Sequence, residues 1–215
     1  MVEITDAERR VSEVVFGDRL GLAERFVTHL ATTGIERGLL GPREVPKLWG
    51  RHVLNCAVVG ELVSVNAHVA DVGSGAGLPG LALAIARRDI TVTLIEPLER
   101  RVQWLSEVIS DLELSNVSVV RGRAEQVVES VNADVVTARA VSALSKLVQI
   151  TIPLLHGQGE VLAIKGRSAG EELHTAAKKI RRLGGIDTSV VTAGAALLED
   201  PTTVVRIVVE QTLAR

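Results

Sequence analysis

The stretch His68-Val-Ala-Asp-Val-Gly-Ser-Gly-Ala-Gly-Leu-Pro-Gly80 decides how the rest of this 215-residue chain is read. Val69, Ala70 and Val72 form the short apolar run of a strand buried in a parallel sheet, with Asp71 near its end. Gly73, Gly75, Gly77 and Gly80 follow within eight residues. Leu81 to Ala86 is then made of helix formers, and Pro79 suits the first turn of that helix, where a missing N–H leaves nothing unpaired. A strand, a glycine turn and a helix N-terminus in this order let a ligand reach bare backbone. The stretch predicts a nucleotide-type ligand site; a simple structural turn does not require four glycines so close together.

Two patterns overlap here. Gly75-Ala-Gly77-Leu-Pro-Gly80 fits the dinucleotide fingerprint G-x-G-x-x-G, whereas Asp71-Val-Gly73-Ser-Gly75-Ala-Gly77 fits the turn of S-adenosylmethionine-dependent methyltransferases. The dinucleotide fingerprint opens directly off its strand so that pyrophosphate meets the helix end. Gly75 comes three residues after Val72, and Pro79 removes an amide that a phosphate would use. S-adenosylmethionine carries no phosphate, and Asp71 is placed to attract its ammonium and sulfonium, directly or through water. Glu96, at the end of the next β-branched run Thr91–Ile95, falls about 20 residues past the third glycine, where an acid accepts ribose hydroxyls. It serves either adenosine ligand, so a dinucleotide-dependent oxidoreductase stays open on these residues alone.

Composition narrows the class. Hydrophobic residues make up 47% of the chain and mean hydropathy is +0.28, which fits a filled core and not disorder. No run approaches the length of a membrane span, and MVEITDAERR lacks the apolar segment of a signal peptide. One cysteine, Cys56, allows no internal disulfide and no cysteine-cluster metal site, so a cytoplasmic protein without a metal is expected. Net charge is −2, unlike a strongly basic nucleic-acid binder, yet basic clusters such as Arg121 with Arg123 and Lys178-Lys179 with Arg181-Arg182 occur. Phe16, Phe26, Trp49 and Trp104 are the only aromatics, too few for a base-stacking platform.

The residues before the glycine stretch read as a helical extension over 1–66, packed on a core over 67–215. Asp6 caps a first helix to about Val15; Leu20 to Leu30 has helical spacing up to a stop at Thr33-Gly34; Pro46 starts a further helix after a turn-rich connector. That last segment holds Trp49-Gly50-Arg51-His52, where Arg51 and His52 can meet a polyanion and Gly50 marks either the true start of the helix or a close approach. Beyond the glycine turn, strands are expected at Val117–Val120, Ala133–Arg139 and Gly159–Lys165, with an antiparallel pair at Ile186–Val191 and Thr203–Val209 on the sheet edge. Amphipathic helices fall at Leu98–Leu114 and Glu171–Leu183.

Ligands of such sheets sit beyond the carboxyl ends of the strands, at the switch point. No Asn/Asp-Pro-Pro-aromatic segment follows the fourth strand, and no Pro-Cys pair occurs, so amine and carbon methylation lack their usual groups. Arg139 stands there instead. An arginine is no general base at neutral pH; it orients and polarises. That suits a target atom with a free lone pair, such as guanine N7. After the third strand, Ala124 and Glu125 are placed to meet an adenine, and Lys165 follows the fifth strand on the ligand side. Arg206, inside an apolar strand, faces solvent or a partner.

These segments together resemble one family. DVGSGAGLPG, IEPLERRVQWL, RGRAE, Thr137-Ala138-Arg139-Ala140 and Ala163-Ile164-Lys165-Gly166, with GPREV and LWGRH upstream, are similar to the bacterial 16S ribosomal RNA guanine-N7 methyltransferases (RsmG/GidB), in their actinobacterial branch. The resemblance implies a Rossmann-like, seven-stranded class I methyltransferase with a helical N-terminal extension and S-adenosyl-L-methionine as donor. It implies a guanine in a decoding-region loop of 16S rRNA, on the small ribosomal subunit, as acceptor; nothing in the sequence demands more than a monomer. Carried over by motif, Gly73, Gly75, Gly77, Leu78, Ala124, Glu125 and Arg139 contact donor or target, Glu96 holds the ribose, and Arg51, His52, Arg123, Lys165 and Arg206 face RNA. A non-catalytic rRNA-binding or ribosome-assembly protein would share most of these features and differ in needing no donor.

Overall fold

The β-branched runs and the amphipathic stretches between them fold as one alternating β-α succession. In the computed structural model, which describes residues 2–210, the strands are β1 (His68–Val72), β2 (Thr91–Glu96), β3 (Val117–Arg121), β4 (Val135–Arg139), β5 (Gln158–Ile164), β6 (Gly185–Ala193) and β7 (Thr202–Glu210). They form one sheet in the order β3-β2-β1-β4-β5-β7-β6. β1 to β5 are mutually parallel, and β7 runs antiparallel to both β5 and β6. The expected antiparallel pair is present, with the last strand inserted next to β5 and β6 left on the outside. Burial explains that choice: β7 sends Val204 into one apolar layer and Val205, Ile207 and Val209 into the other, whereas β6 is largely exposed along its length and suits an edge.

Helices cover both faces. On one lie α1 (Asp6–Phe16), α2 (Leu20–His29), α3 (Asn55–Ala57), α4 (Gly80–Ala86) and α5 (Glu99–Asp111); on the other, α6 (Leu144–Thr151) and α7 (Ala169–Arg182). Phe26, Leu30, Leu54 and Val59 share an apolar cluster with Leu81, Leu94 and Trp104, so the segment preceding the sheet is packed onto it. Residues 211–215 of the expected core lie outside the described residues. Among those described, no helix is long and apolar enough to cross a membrane.

Two local expectations are corrected. The cap of α1 is Thr5 and not Asp6: its Oγ1 accepts from Glu8 N at 3.2 Å while Glu8 Oε2 accepts from Thr5 N at 2.9 Å, a reciprocal box that a residue one place later cannot close. The helix expected from Pro46 is broken. Pro42–Lys47 is a 3₁₀ turn, Leu48–Leu54 is wound as a π-helix, and only Asn55–Ala57 is α-helical. Gly50 lies in the π-wound part, where an added Cβ would stand 2.8 Å from Glu8 Oε1. The close approach expected at this glycine comes from α1 itself.

Because β1 connects outward to β2 while the chain returns across to β4, the crossovers diverge between β1 and β4. A crevice opens at their carboxyl ends, the place where such sheets bind ligands.

Candidate active site

The wall of the crevice above β1 is made of consecutive backbone. Gly73 N and Ser74 N donate to Ile95 O at 2.9 and 3.3 Å, tying the turn to β2, and Gly77 N and Leu78 N donate to Ser74 O at 2.7 and 3.2 Å. Gly73, Gly75 and Gly77 all take positive φ, at +69°, +54° and +77°. Two of the glycines differ instructively. A Cβ on Gly80 would collide with Leu94 Cδ2 and stand 2.8 Å from Asp71 Oδ2. One on Gly75 would meet nothing nearer than Gly73 O at 3.7 Å and Arg101 Nη1 at 3.9 Å. Gly80 is needed by the protein's own packing; Gly75 faces open space.

Asp71, expected as a direct or water-bridged counter-charge, is placed beneath the glycine turn, with its hydrogen bonds made inside the protein. It is fully buried, and its carboxylate accepts from Gly80 N at 3.1 Å and Thr137 Oγ1 at 3.2 Å. A strand residue that points into the α4 layer can reach the first turn of that helix and no further. Burial raises its pKa to about 6, against the opposing pull of Gly80, Ser74, Thr137 and the Arg139 charge. Asp71 therefore fixes α4 to the strands and supports the turn from beneath.

Glu96 closes the other side. It is 1% exposed at the end of β2; Oε2 accepts from Gly75 N at 3.0 Å and Oε1 from Leu98 N at 3.0 Å. Each carboxylate oxygen has a second lone pair, so both retain acceptor capacity. Arg101, from α5, brings Nη1 to 3.5 Å from Glu96 Oε2, while its Nε is buried with no hydrogen-bond partner. Arg101 thus carries an unpaired donor while its Nη1 borders the open space at Gly75, and a buried polar group left unpaired calls for an explanation such as a polar ligand. Pattern reading passed over Arg101; its one signal was an arginine on the first turn of the helix after Glu96. Farther along, Ala124 is buried at the start of a 3₁₀ turn, and Glu125 and Arg123 are exposed at the rim. The turn residues, Glu96 and Arg101 have the chemistry an adenosyl amino acid needs: backbone without side chains for close approach, a carboxylate with acceptor capacity to spare, and a guanidinium with an unpaired nitrogen.

Arg139 ends β4, one register step past the Val72–Ala138 pair, and so stands beside the glycine turn. Its guanidinium reaches back to the π-wound segment: Nη1 donates to Cys56 Sγ at 3.0 Å, and Nη2 bonds His52 Nδ1. Sequence reading missed this partnership, since Cys56 looks like any small core residue. The next residues follow the turn closely, with Val141 Cγ2 3.0 Å from where a Gly73 Cβ would be.

Three basic residues expected at RNA are placed differently. His52 is only 5% exposed and bonded on both ring nitrogens, to Glu44 and to Arg139, because its helical winding turns it inward. Lys165 lines the cleft, but its Nζ donates to Ser142 O at 2.7 Å and Glu172 Oε2 at 2.9 Å, so its charge is matched and it pins the β4–α6 loop. Arg206 lies in mid-strand, bound through Nε to Glu160 Oε2 at 2.8 Å on the neighbouring strand, away from the carboxyl ends. Arg51 and Arg123 are exposed as expected.

A cleft of about 480 Å³ leads from Arg139 outward, with Arg51, Asn55, Lys165, Arg167 and Thr202 among its walls. Four cationic side chains line it and, among the described residues, no carboxylate and no imidazole. A larger depression of about 660 Å³ adjoins it at Arg51 and Arg167 but carries Glu8, Glu199 and Asp200, which suits a polyanion poorly.

A family model described as GidB, rRNA small subunit methyltransferase G, matches residues 19–200. Ribosomal RNA small subunit methyltransferase G of Arthrobacter sp. strain FB24 is 69% identical over 211 residues, 98% of each chain. That of Rhodococcus jostii strain RHA1 is 52% identical over 202 residues, 93% of this chain and 88% of the relative. The fold is similar to M. jannaschii TYW2 in complex with AdoMet, with TM-score 0.55 and 21% identity over 73% of this chain and 74% of that one. It is also similar to cofactor-bound Rv0187 from MTB, with TM-score 0.52 and 15% identity over 74% and 79%. The crevice between β1 and β4 is thus that of a class I S-adenosylmethionine-dependent methyltransferase, and the chain belongs to the rRNA small subunit methyltransferase G family.

Proposed function

We propose that this chain transfers the methyl group of S-adenosylmethionine to N7 of one guanine in the decoding-region loop of 16S rRNA, acting as a cytoplasmic monomer on the small ribosomal subunit. The observation that carries this reading is the cleft at Arg139, lined by four cations and no acid or imidazole. It favours an anionic partner and, among the described residues, offers no carboxylate or imidazole to remove a proton. When bound, S-adenosylmethionine supplies an electrophilic methyl on a sulfonium, and guanine N7 is a nucleophile that needs no deprotonation.

The chain's own residues then bind and align. Gly75 and its neighbours would let the donor lie against backbone, Glu96 would accept its ribose hydroxyls, and the Arg101 guanidinium would border it through Nη1. Ala124 and Glu125 border the adenine. Arg139 holds donor and base in register; as a guanidinium it stays charged and acts only by orientation and charge. Arg51 and Arg123 meet phosphates, a contribution that weakens with salt.

Unmethylated small subunits, incubated with the chain and donor and then cleaved by borohydride and aniline, should give a primer-extension stop at one guanine. Arg139→Ala should lower turnover by about 100-fold while the protein stays folded. Wild-type turnover in that variant would reduce Arg139 to scaffolding, and methyl on an exocyclic amine would overturn the N7 assignment.

A further inference from the structure

The guanidinium of Arg139 does not stand alone at the end of β4. Arginine is a donor only, so the contact from its Nη2 requires His52 Nδ1 to accept. The ring proton of a neutral His52 is then on Nε2, where it is donated to Glu44 Oε2 at 2.7 Å. Nη1 is held by Cys56 Sγ at 3.0 Å and reaches His52 O at 3.5 Å. Both terminal nitrogens are fixed from a segment 83 to 87 residues away in sequence, and His52 is fixed in turn from Glu44.

We propose that Glu44 and His52 are positioning residues for methyl transfer: Glu44 sets the tautomer of His52, and neutral His52 sets the guanidinium of Arg139. This rests on the role given to Arg139 above. The observation behind it is the unbroken chain Glu44–His52–Arg139, which no packing need explains, since an apolar side chain would fill the buried site of His52 at less cost.

One consequence is an acid limit on turnover. A proton on Nδ1 removes the acceptor that Arg139 uses and sets two cations face to face. The charged and titratable groups around the ring are Glu44 and its partner Lys47 on the 3₁₀ turn, Arg51 on the same π-wound segment, the Cys56 thiol on α3, and Arg139 on β4. Burial lowers the pKa of His52, the Glu44 hydrogen bond resists, and the Arg139 and Arg51 charges lower it further. Turnover by the wild-type chain is therefore retained down to pH values below the ordinary histidine range and is lost beneath it.

The test separates acceptor from donor. In His52→Asn the amide oxygen takes the place of Nδ1 and can accept from Arg139, but nothing reaches Glu44. In His52→Gln the amide nitrogen takes the place of Nε2 and keeps Glu44, but the acceptor is gone. Turnover on unmethylated small subunits should fall about 10- to 100-fold in His52→Ala and His52→Gln and be partly restored in His52→Asn. S-adenosylhomocysteine affinity by calorimetry and the unfolding midpoint of His52→Asn and His52→Gln should match each other, a parity that a purely structural role would not combine with unequal turnover. The acid limb should vanish in His52→Asn and move to lower pH in Glu44→Gln, where the carboxylate no longer supports an imidazolium. Equal turnover in the Asn and Gln variants, or an acid limb unmoved in both His52→Asn and Glu44→Gln, overturns the proposal. Arg139→Ala as active as wild type would instead overturn the role of Arg139; an inactive Arg139→Ala beside a fully active His52→Ala would remove the relay alone.

Discussion

The two walls of the crevice are built in opposite ways. Above β1 the wall is one continuous piece of backbone from Gly73 to Gly80, shaped by glycines and fastened from below by Asp71. Above β4 it is a set of side chains, Glu44, His52, Cys56 and Arg139, brought together from distant parts of the chain. The first wall is sensitive to volume in two ways: an added atom at Gly80 collides with the protein's own packing, and one at Gly75 enters the open space of the crevice. The second is sensitive to charge and hydrogen-bond polarity, because each member holds the next. The proposed catalysis by alignment would draw on both: a seat for the donor made of bare backbone, and a cation held in place.

The sharpest way to break this comparison is within the glycine wall. Gly80→Ala should cost about 3 kcal/mol of stability or more, because Leu94 and the Asp71 carboxylate occupy the space. Gly75→Val should cost only about 1–2 kcal/mol, the strain of its positive φ, yet abolish S-adenosylhomocysteine binding. Urea unfolding and calorimetry on the two variants give the contrast; a Gly75→Val chain that still binds would mean the open space beside Gly75 is not the ligand's.

Burial of Asp71 beneath the first wall is what pH reads, with the Arg139 charge of the second wall a lesser, opposing influence. With its carboxyl pKa raised to about 6 in the folded chain, Asp71 binds a proton more tightly folded than unfolded. Its contribution is fully favourable below the ordinary aspartate range and is lost as pH rises through about 6, by an amount on the order of 2–3 kcal/mol. Asp71→Asn stays neutral, and its amide can still accept from Gly80 N. The stability difference between variant and wild type should therefore shift in favour of the variant between about pH 4 and about pH 7.5. Parallel curves for the two chains would show that the buried carboxyl is not the source.

The smallest effect should come from outside both walls. Arg206→Gln removes an ion pair with Glu160 that is 41% exposed on the arginine side, and should change stability by less than about 1 kcal/mol and leave methylation as it was. A large loss of turnover would return Arg206 to the RNA surface.

How legible the two walls were in the sequence follows from the same difference. Strand, glycines and helix in one run announce themselves, and so does Glu96 at a set distance beyond them. Asp71 stood out in the sequence, but its internal partners did not: a carboxylate at a strand end looks alike whether its hydrogen bonds go outward or to the helix behind it, and only the structure shows them going to Gly80 and Thr137. His52 and Lys165 were chosen as cations near the site. Near it they are, but Glu44 and Glu172 take up their hydrogen bonds, and neither acid lies within a motif that names its partner. Arg101 and Cys56 were missed because neither residue type signals by itself what it will stand beside.

Local chemistry is written in order along the chain, so the sequence by itself determined the β-α succession, the glycine turn, the adenosine-type ligand and the family. Contacts between residues far apart in the chain are not written there, because hydrogen bonds and burial depend on which faces the sheet order brings together. Only the tertiary structure decided that Asp71 is buried beneath the turn, that β7 lies inside β6, and that Arg139 is held from the segment before the sheet.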